Sequence, residues 1–126
     1  MARRLMHWLP ALLYMGVIFI LSSQSQLPVP YDFPESDKVF HLLLYSPLGF
    51  IIAYALSRST RGAKHLIFLA AFLAFLYGLT DEIHQHFVPG RSASALDLMA
   101  DGMGAVIGSS VFVWMRRNGS KGARSK

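Results

Sequence analysis

Four long apolar stretches without a formal charge constrain this chain more than any other feature. Leu5 to Tyr31 is uncharged and densely apolar as far as Leu21, and Val39 to Ser57, Leu66 to Thr80 and Gly102 to Met115 follow. Each is too apolar for the surface helix of a soluble domain, and none alternates with the period of a half-buried strand. A helix needs about 20 residues to cross roughly 30 Å of hydrocarbon. The first two stretches meet that length, and the last two look short. Composition agrees: apolar residues make up 53% of the 126 and charged ones 15%, against about 25% charged in ordinary soluble domains. So small a soluble globule could not hide that much apolar surface, which argues against a soluble enzyme. With no cysteine, disulfides, thiolate metal sites and a cysteine nucleophile are excluded.

The pattern predicts an all-α integral membrane protein, a four-transmembrane-helix bundle with both termini cytoplasmic. Its membrane domain is expected over residues 1–117, with spans at about 5–23, 38–57, 65–86 and 96–115, followed by a basic disordered tail over 118–126. Arg3 and Arg4 before Leu9 to Leu21 resemble the start of a signal peptide. Ser22-Ser23-Gln24-Ser25 is a poor cleavage site, however, and a retained first helix completes two helical hairpins. The prolines at Pro28, Pro30 and Pro34 argue against a helix in the first loop, where Tyr31 and Phe33 suit the membrane interface. Pro89-Gly90 marks a sharp turn after the third span.

Charge placement sets the expected topology. Ten of the twelve basic residues lie at the N-terminus, in the second loop (Arg58, Arg61, Lys64) and after the fourth stretch (Arg116, Arg117, Lys121, Arg124, Lys126). All seven acids, Asp32, Glu35, Asp37, Asp81, Glu82, Asp97 and Asp101, lie in or beside the first and third loops. The positive-inside rule then places the basic segments in the cytoplasm and the acids at the outer face. The net charge of +5 thus calls for no nucleic-acid partner.

The short third and fourth stretches pull acids into the membrane. Gly102 to Met115 gives about 21 Å of helix at 1.5 Å per residue. If Arg116 marks the inner boundary, the helix must take in Asp101 and approach Asp97. Leu66 to Thr80 similarly draws in Asp81 and Glu82. Ionisable residues inside a span are costly, and they mark function by default. Helical spacing then gathers stripes: Asp97, Asp101, Gly104 and Gly108 on the fourth helix, and Asp37, His41, Tyr45 and Gly49 on the second. On the third, Asp81 aligns with Gln85, and Glu82 with Gln85 and His86. Several carboxylates together in a low dielectric cannot all stay ionised unless a cation joins them.

Candidate catalytic residues are therefore Glu82, Asp101, Asp97, Asp37 and His41, with Glu82 or Asp101 managing a proton and Asp37 and His41 orienting the site. Candidate substrate-binding residues are Arg91, whose planar fork suits phosphate or carboxylate, with Gln85, Asp81 and Tyr45. Acids with histidines also suit a divalent metal, but no tight metal motif is present and no cofactor or metal ligand is assigned. His7 reads as an interfacial anchor beside Trp8, Phe68, Phe72 and Phe75 as lipid-facing or packing residues, and Met6, Met99 and Met103 as filler.

These residues resemble the VanZ-like family of small membrane proteins. The resemblance rests on Asp37-Lys38-Val39-Phe40-His41 with Tyr45 and Gly49, on Asp81-Glu82-x-x-Gln85-x-Phe87-x-Pro89-Gly90-Arg91, on Asp97-x-x-x-Asp101-x-x-Gly104-x-x-x-Gly108, and on Ser22-Ser23-Gln24. Asp101 departs from the pattern, since the family usually carries Asn there. The resemblance implies a four-helix integral membrane protein and a link to low-level resistance to the glycopeptide teicoplanin. It names no reaction.

The leading functional expectation is an outward-facing site in a bacterial cytoplasmic membrane that binds, and in one version modifies, an envelope lipid or lipid-linked phosphate. The alternative is a non-catalytic binding or immunity module for a glycopeptide, lipopeptide or partner membrane protein. A transporter is disfavoured because the polar residues cluster at one end. A purely structural reading makes the acids and Arg91 an internal salt-bridge network, a poor stability device given the cost of desolvation.

Overall fold

The computed structural model describes residues 5–25 and 35–124. The expectations for Arg3, Arg4, Pro28, Pro30, Tyr31, Asp32, Phe33 and Pro34 lie outside these residues. Among the described residues there are four helices: α1 Leu9–Ser22, α2 Ser36–Leu56, α3 Ala63–His86 and α4 Ala95–Arg124. Three of them, α2, α3 and α4, are long and apolar enough to cross a membrane, and α1 is a shorter apolar helix.

The first stretch, which looked long enough to span, carries the 14-residue α1, whereas α3 has 24 residues and α4 has 30. Pro10 sits in the first turn of α1, a position where its missing N–H costs nothing and which favours a helix start. At the other end, Ser23 Oγ donates to the Phe19 carbonyl at 2.7 Å and helps satisfy the end of the helix, with Ser22 Oγ 3.1 Å from the same oxygen. The third and fourth helices grow long by taking in their polar flanks. Helix α4 continues past Arg117 to Arg124. Its closing cations suit the negative end of the helix dipole, and Ser120 Oγ donates to the Arg117 carbonyl at 2.8 Å.

Consecutive helices run antiparallel. The end of α1, the start of α2, the end of α3 and the start of α4 meet at one pole, through Ser22–Asp81 and His41–Asp101. At the other pole Tyr54 meets His7, and Arg116 donates to the Ser57 carbonyl. A cleft of about 550 Å³ at this second pole is lined by Arg58, Arg61, Arg116 and Arg117. The acids gather at the first pole, so the two ends differ in sign as the sequence suggested.

The tightest packing joins α2 to α4. Gly49, Gly104 and Gly108 let the two backbones touch: a Cβ at Gly104 would overlap the Leu42 carbonyl oxygen, one at Gly108 that of Ser46, and one at Gly49 that of Ala105. Such small-residue seams are how spans approach closely without a hydrophobic driving force. Between them the helices bury Tyr45, Leu48, Ile52, Ala53 and Ala105. The outer surface is apolar, with Leu13 64% and Phe68 63% exposed, as lipid-facing residues are. Met6, Met99 and Met103, expected as filler, are also on this surface.

Helix α1 lies over α2 and α3, and two of the interhelical hydrogen bonds that hold it come from tyrosines. Tyr14 Oη donates to the Leu44 carbonyl at 2.8 Å, and Tyr77 Oη to the Met15 carbonyl at 2.6 Å. Bonds of this kind contribute about 0.6 kcal/mol each in a membrane. Tyr14→Phe and Tyr77→Phe are each expected to lower the unfolding midpoint slightly in an SDS titration. The double variant should lose about the sum, because the two bonds share no partner.

Candidate functional site

The polar pole is built by the expected stripes. Helical spacing puts His41, Tyr45 and Gly49 on the buried face of α2, Asp81, Glu82 and Gln85 on that of α3, and Asp97, Asp101, Gly104 and Gly108 on that of α4. Asp97, Asp81 and Glu82 are 4–5% exposed, His41 2%, Gln85 1%, and Asp101 and Tyr45 0%. Asp81, Glu82 and Asp101 lie within the helices and inside the bundle, and Asp97 is buried in the first turn of α4.

Two networks share the pole. In the first, Asp81 is held by three donors: Ser22 Oγ from α1, Gln85 Nε2 at 3.1 Å and Tyr45 Oη at 3.4 Å. Gln85 Oε1 in turn accepts from Arg91 Nη2 at 2.6 Å. A carboxylate so supplied serves well as an anchor between α1, α2 and α3. In the second, His41 stands between two acids of α4. Its Nδ1 donates to Asp101 Oδ1 at 2.9 Å, and its Nε2 faces Asp97 Oδ2 at 4.0 Å. Glu82 Oε2 accepts from the backbone N–H of Ser94 at 2.8 Å, tying α3 to the residue just before α4.

Asp37 is the one candidate that is exposed, and His41 bonds Asp101 rather than Asp37. Asp37 still lies beside the pole, with donor atoms of Asp37, His41 and Asp97 all within 4.8 Å of one another. His86, aligned with Glu82 on α3, is exposed and stays outside. The turn before Arg91 forms as expected: Gly90 adopts φ +81°, which favours glycine, and Arg91 N–H bonds the Val88 carbonyl at 3.1 Å.

Arg91 is half-buried and forms no ion pair with an acid among the described residues. The internal salt-bridge network weighed from sequence is therefore absent there. Apart from its hydrogen bond to Gln85, its guanidinium keeps donors for other partners.

Three contributors escaped the sequence reading of the site. Ser22 was noted only as part of a motif, yet it bonds Asp81. Ser94 reaches Glu82 through its backbone, which no side-chain pattern reveals. Gly78, one turn before Glu82, makes room for Asp101: a Cβ there would lie 2.9 Å from Asp101 Oδ2. Its spacing from Asp81, Glu82 and Gln85 was the available signal.

Apolar grooves run along the seam of α3 and α4. One of about 380 Å³ lies at the polar pole, lined by Leu79, Glu82, Ile83, Phe87, Ser94 and Leu98 among others. Another of about 550 Å³ lies further along the seam, between Phe68, Phe72, Phe75 and Met99, Met103, Val106. Glu82 thus belongs both to the buried polar cluster and to a groove wall.

No curated protein and no solved structure matches the chain. A family model described as VanZ/LLP1 matches residues 5–116, which takes in α1, α2 and α3 and runs through α4 to its first arginine, so the chain belongs to the VanZ/LLP1 family.

Proposed function

We propose that the polar pole faces the outer leaflet of a bacterial cytoplasmic membrane and binds the phosphate-bearing head group of an envelope lipid, with both termini in the cytoplasm. One observation carries this reading: a groove with apolar walls, of about 380 Å³, has the buried carboxylate of Glu82 in its wall. A groove on a membrane-facing seam suits an acyl or prenyl chain, and its polar end suits a head group. Arg91 is the anion-binding residue in this reading. Its planar fork matches phosphate, and Gln85 fixes its position. Glu82 and Asp101 are the groups that would take or give a proton at a phosphate ester, with His41 and Asp97 orienting them. The orientation rests on the basic cleft at the opposite pole, which the positive-inside rule places in the cytoplasm.

Arg91→Ala is expected to reduce phosphate-lipid co-purification about tenfold by native mass spectrometry, the loss of a charge-assisted bond. Binding that is unchanged in a folded Arg91→Ala protein would remove Arg91 from the site. Turnover has a separate test, the envelope lipids of cells carrying the parent chain or Glu82→Gln. A lipid species that changes with the parent and not with Glu82→Gln marks an enzyme. Identical lipids together with retained binding leave a non-catalytic module.

A further inference from the structure

The second network at the polar pole is short of donors and rich in acceptors. Among the described residues, three buried side-chain atoms have no hydrogen-bond partner: His41 Nε2, Glu82 Oε1 and Asp101 Oδ2. Their three residues are also the fully buried group whose donor atoms lie within 4.8 Å of one another. Buried polar atoms are nearly always satisfied, so unpaired atoms on three residues from three helices, whose donor atoms gather within 4.8 Å, call for a partner among them. No lysine or arginine among the described residues pairs with Glu82, Asp97 or Asp101. One histidine cannot neutralise three buried carboxylates, and unpaired buried charge is costly. A small cation among them would supply the charge that the one histidine does not.

We propose that His41, Glu82 and Asp101 bind one divalent transition-metal ion of the Mn²⁺ or Zn²⁺ class. One imidazole nitrogen with two carboxylate oxygens suits these ions, whereas Mg²⁺ and Ca²⁺ favour all-oxygen sets. The Nδ1–Oδ1 distance of 2.9 Å is also close to the separation of two neighbouring ligands at about 2.0–2.1 Å from one ion. With Nδ1 on the ion, the ring proton moves to Nε2 and faces Asp97 Oδ2, the outer carboxylate that commonly orients a ligating histidine. Glu82 stays held through its other oxygen by Ser94 N–H, and Gly78 keeps the space beside Asp101 Oδ2 clear. Three protein ligands leave coordination positions for water or a substrate oxygen. The cluster Asp37, His41 and Asp97 is the weaker candidate, because Asp37 is exposed and none of its oxygens is a buried orphan. The metal site stands whether or not a lipid binds.

The test uses the full-length protein in detergent, stripped with EDTA and titrated with MnCl₂ while free Mn²⁺ is read by electron paramagnetic resonance. One Mn²⁺ per chain is expected, displaced by Zn²⁺ in keeping with the affinity order of these ions. Glu82→Gln and Asp101→Asn should each weaken binding at least about tenfold, and Asp97→Asn about tenfold as an outer-shell change. Arg116→Ala, at the opposite pole, should leave it unchanged. The Mn²⁺ complex of the parent protein should show hyperfine coupling to one directly bound ¹⁴N, a readout that needs no variant to fold. The proposal is overturned if neither ion binds saturably, if bound Mn²⁺ shows no such coupling, or if folded Glu82→Gln and Asp101→Asn bind as tightly as the parent.

Discussion

Gly108→Ala is expected to break the α2–α4 interface and to be the most destabilising single methyl addition in the chain. The new Cβ would overlap the Ser46 carbonyl oxygen and lie 2.7 Å from its carbon and 3.0 Å from the Phe50 nitrogen. All three are backbone atoms of a helix, so no side chain can turn aside. Overpacking typically costs about 1–3 kcal/mol, and a rigid backbone neighbour puts this site at about 3 kcal/mol. That is a large share of the roughly 5–15 kcal/mol by which proteins are stable. Gly16→Ala in α1 is the control, since nothing lies within 4 Å of its Cβ. There the usual helix preference for alanine should appear instead, a gain of up to about 1 kcal/mol. Unfolding of both variants in detergent by SDS titration decides the matter. A Gly108→Ala protein as stable as its parent would mean that α2 and α4 do not touch there.

The second large effect concerns the buried pair. His41→Ala leaves Asp101 facing a hole where its partner stood, with Asp97 also uncovered. Removing one member of a buried pair typically costs about 3–5 kcal/mol. Asp101→Asn is expected to be much milder, at about 1 kcal/mol, because an amide oxygen still accepts from His41 Nδ1 and one buried acid is gone. The asymmetry is the diagnostic. A structural ion pair loses similarly from either side, whereas a surplus of acid makes the histidine the harder residue to lose. Thermal unfolding at neutral pH, without added metal, measures both. Equal losses would argue that Asp101 is compensated by a partner other than His41.

Much of the site was legible because helices repeat. The stripes Asp97–Asp101–Gly104–Gly108 and His41–Tyr45–Gly49 follow from 3.6 residues per turn, and each became a buried face. The short uncharged runs pointed to Asp81, Glu82, Asp97 and Asp101, and all four lie in helices and are buried. Periodicity fixes which residues share a face, but not how two helices are rotated against each other. Hence the partner of His41 had to come from the structure, and so did the freedom of Arg91 from the acids. The absence of charge was also a poor ruler for helix length. Leu5 to Tyr31 is uncharged throughout, yet Pro10 and the hydroxyl of Ser23 delimit the much shorter α1. In α3 and α4 the polar flanks rejected by a hydropathy count are as helical as the core, because buried partners satisfy them.

The shortness of α1 has a consequence for how the polar pole meets its surroundings. Its 14 residues span about 21 Å, well below the roughly 30 Å of hydrocarbon beside its longer neighbours. A membrane accommodates such a helix by thinning locally, so its surface dips along α1, at the corner where Ser22 bonds Asp81. The α3–α4 seam, which α1 does not line, keeps the full oily depth. With the pole at the outer leaflet as proposed, the corner over α1 is the expected entry for water and small ions, and the seam the expected entry for anything with a hydrocarbon tail.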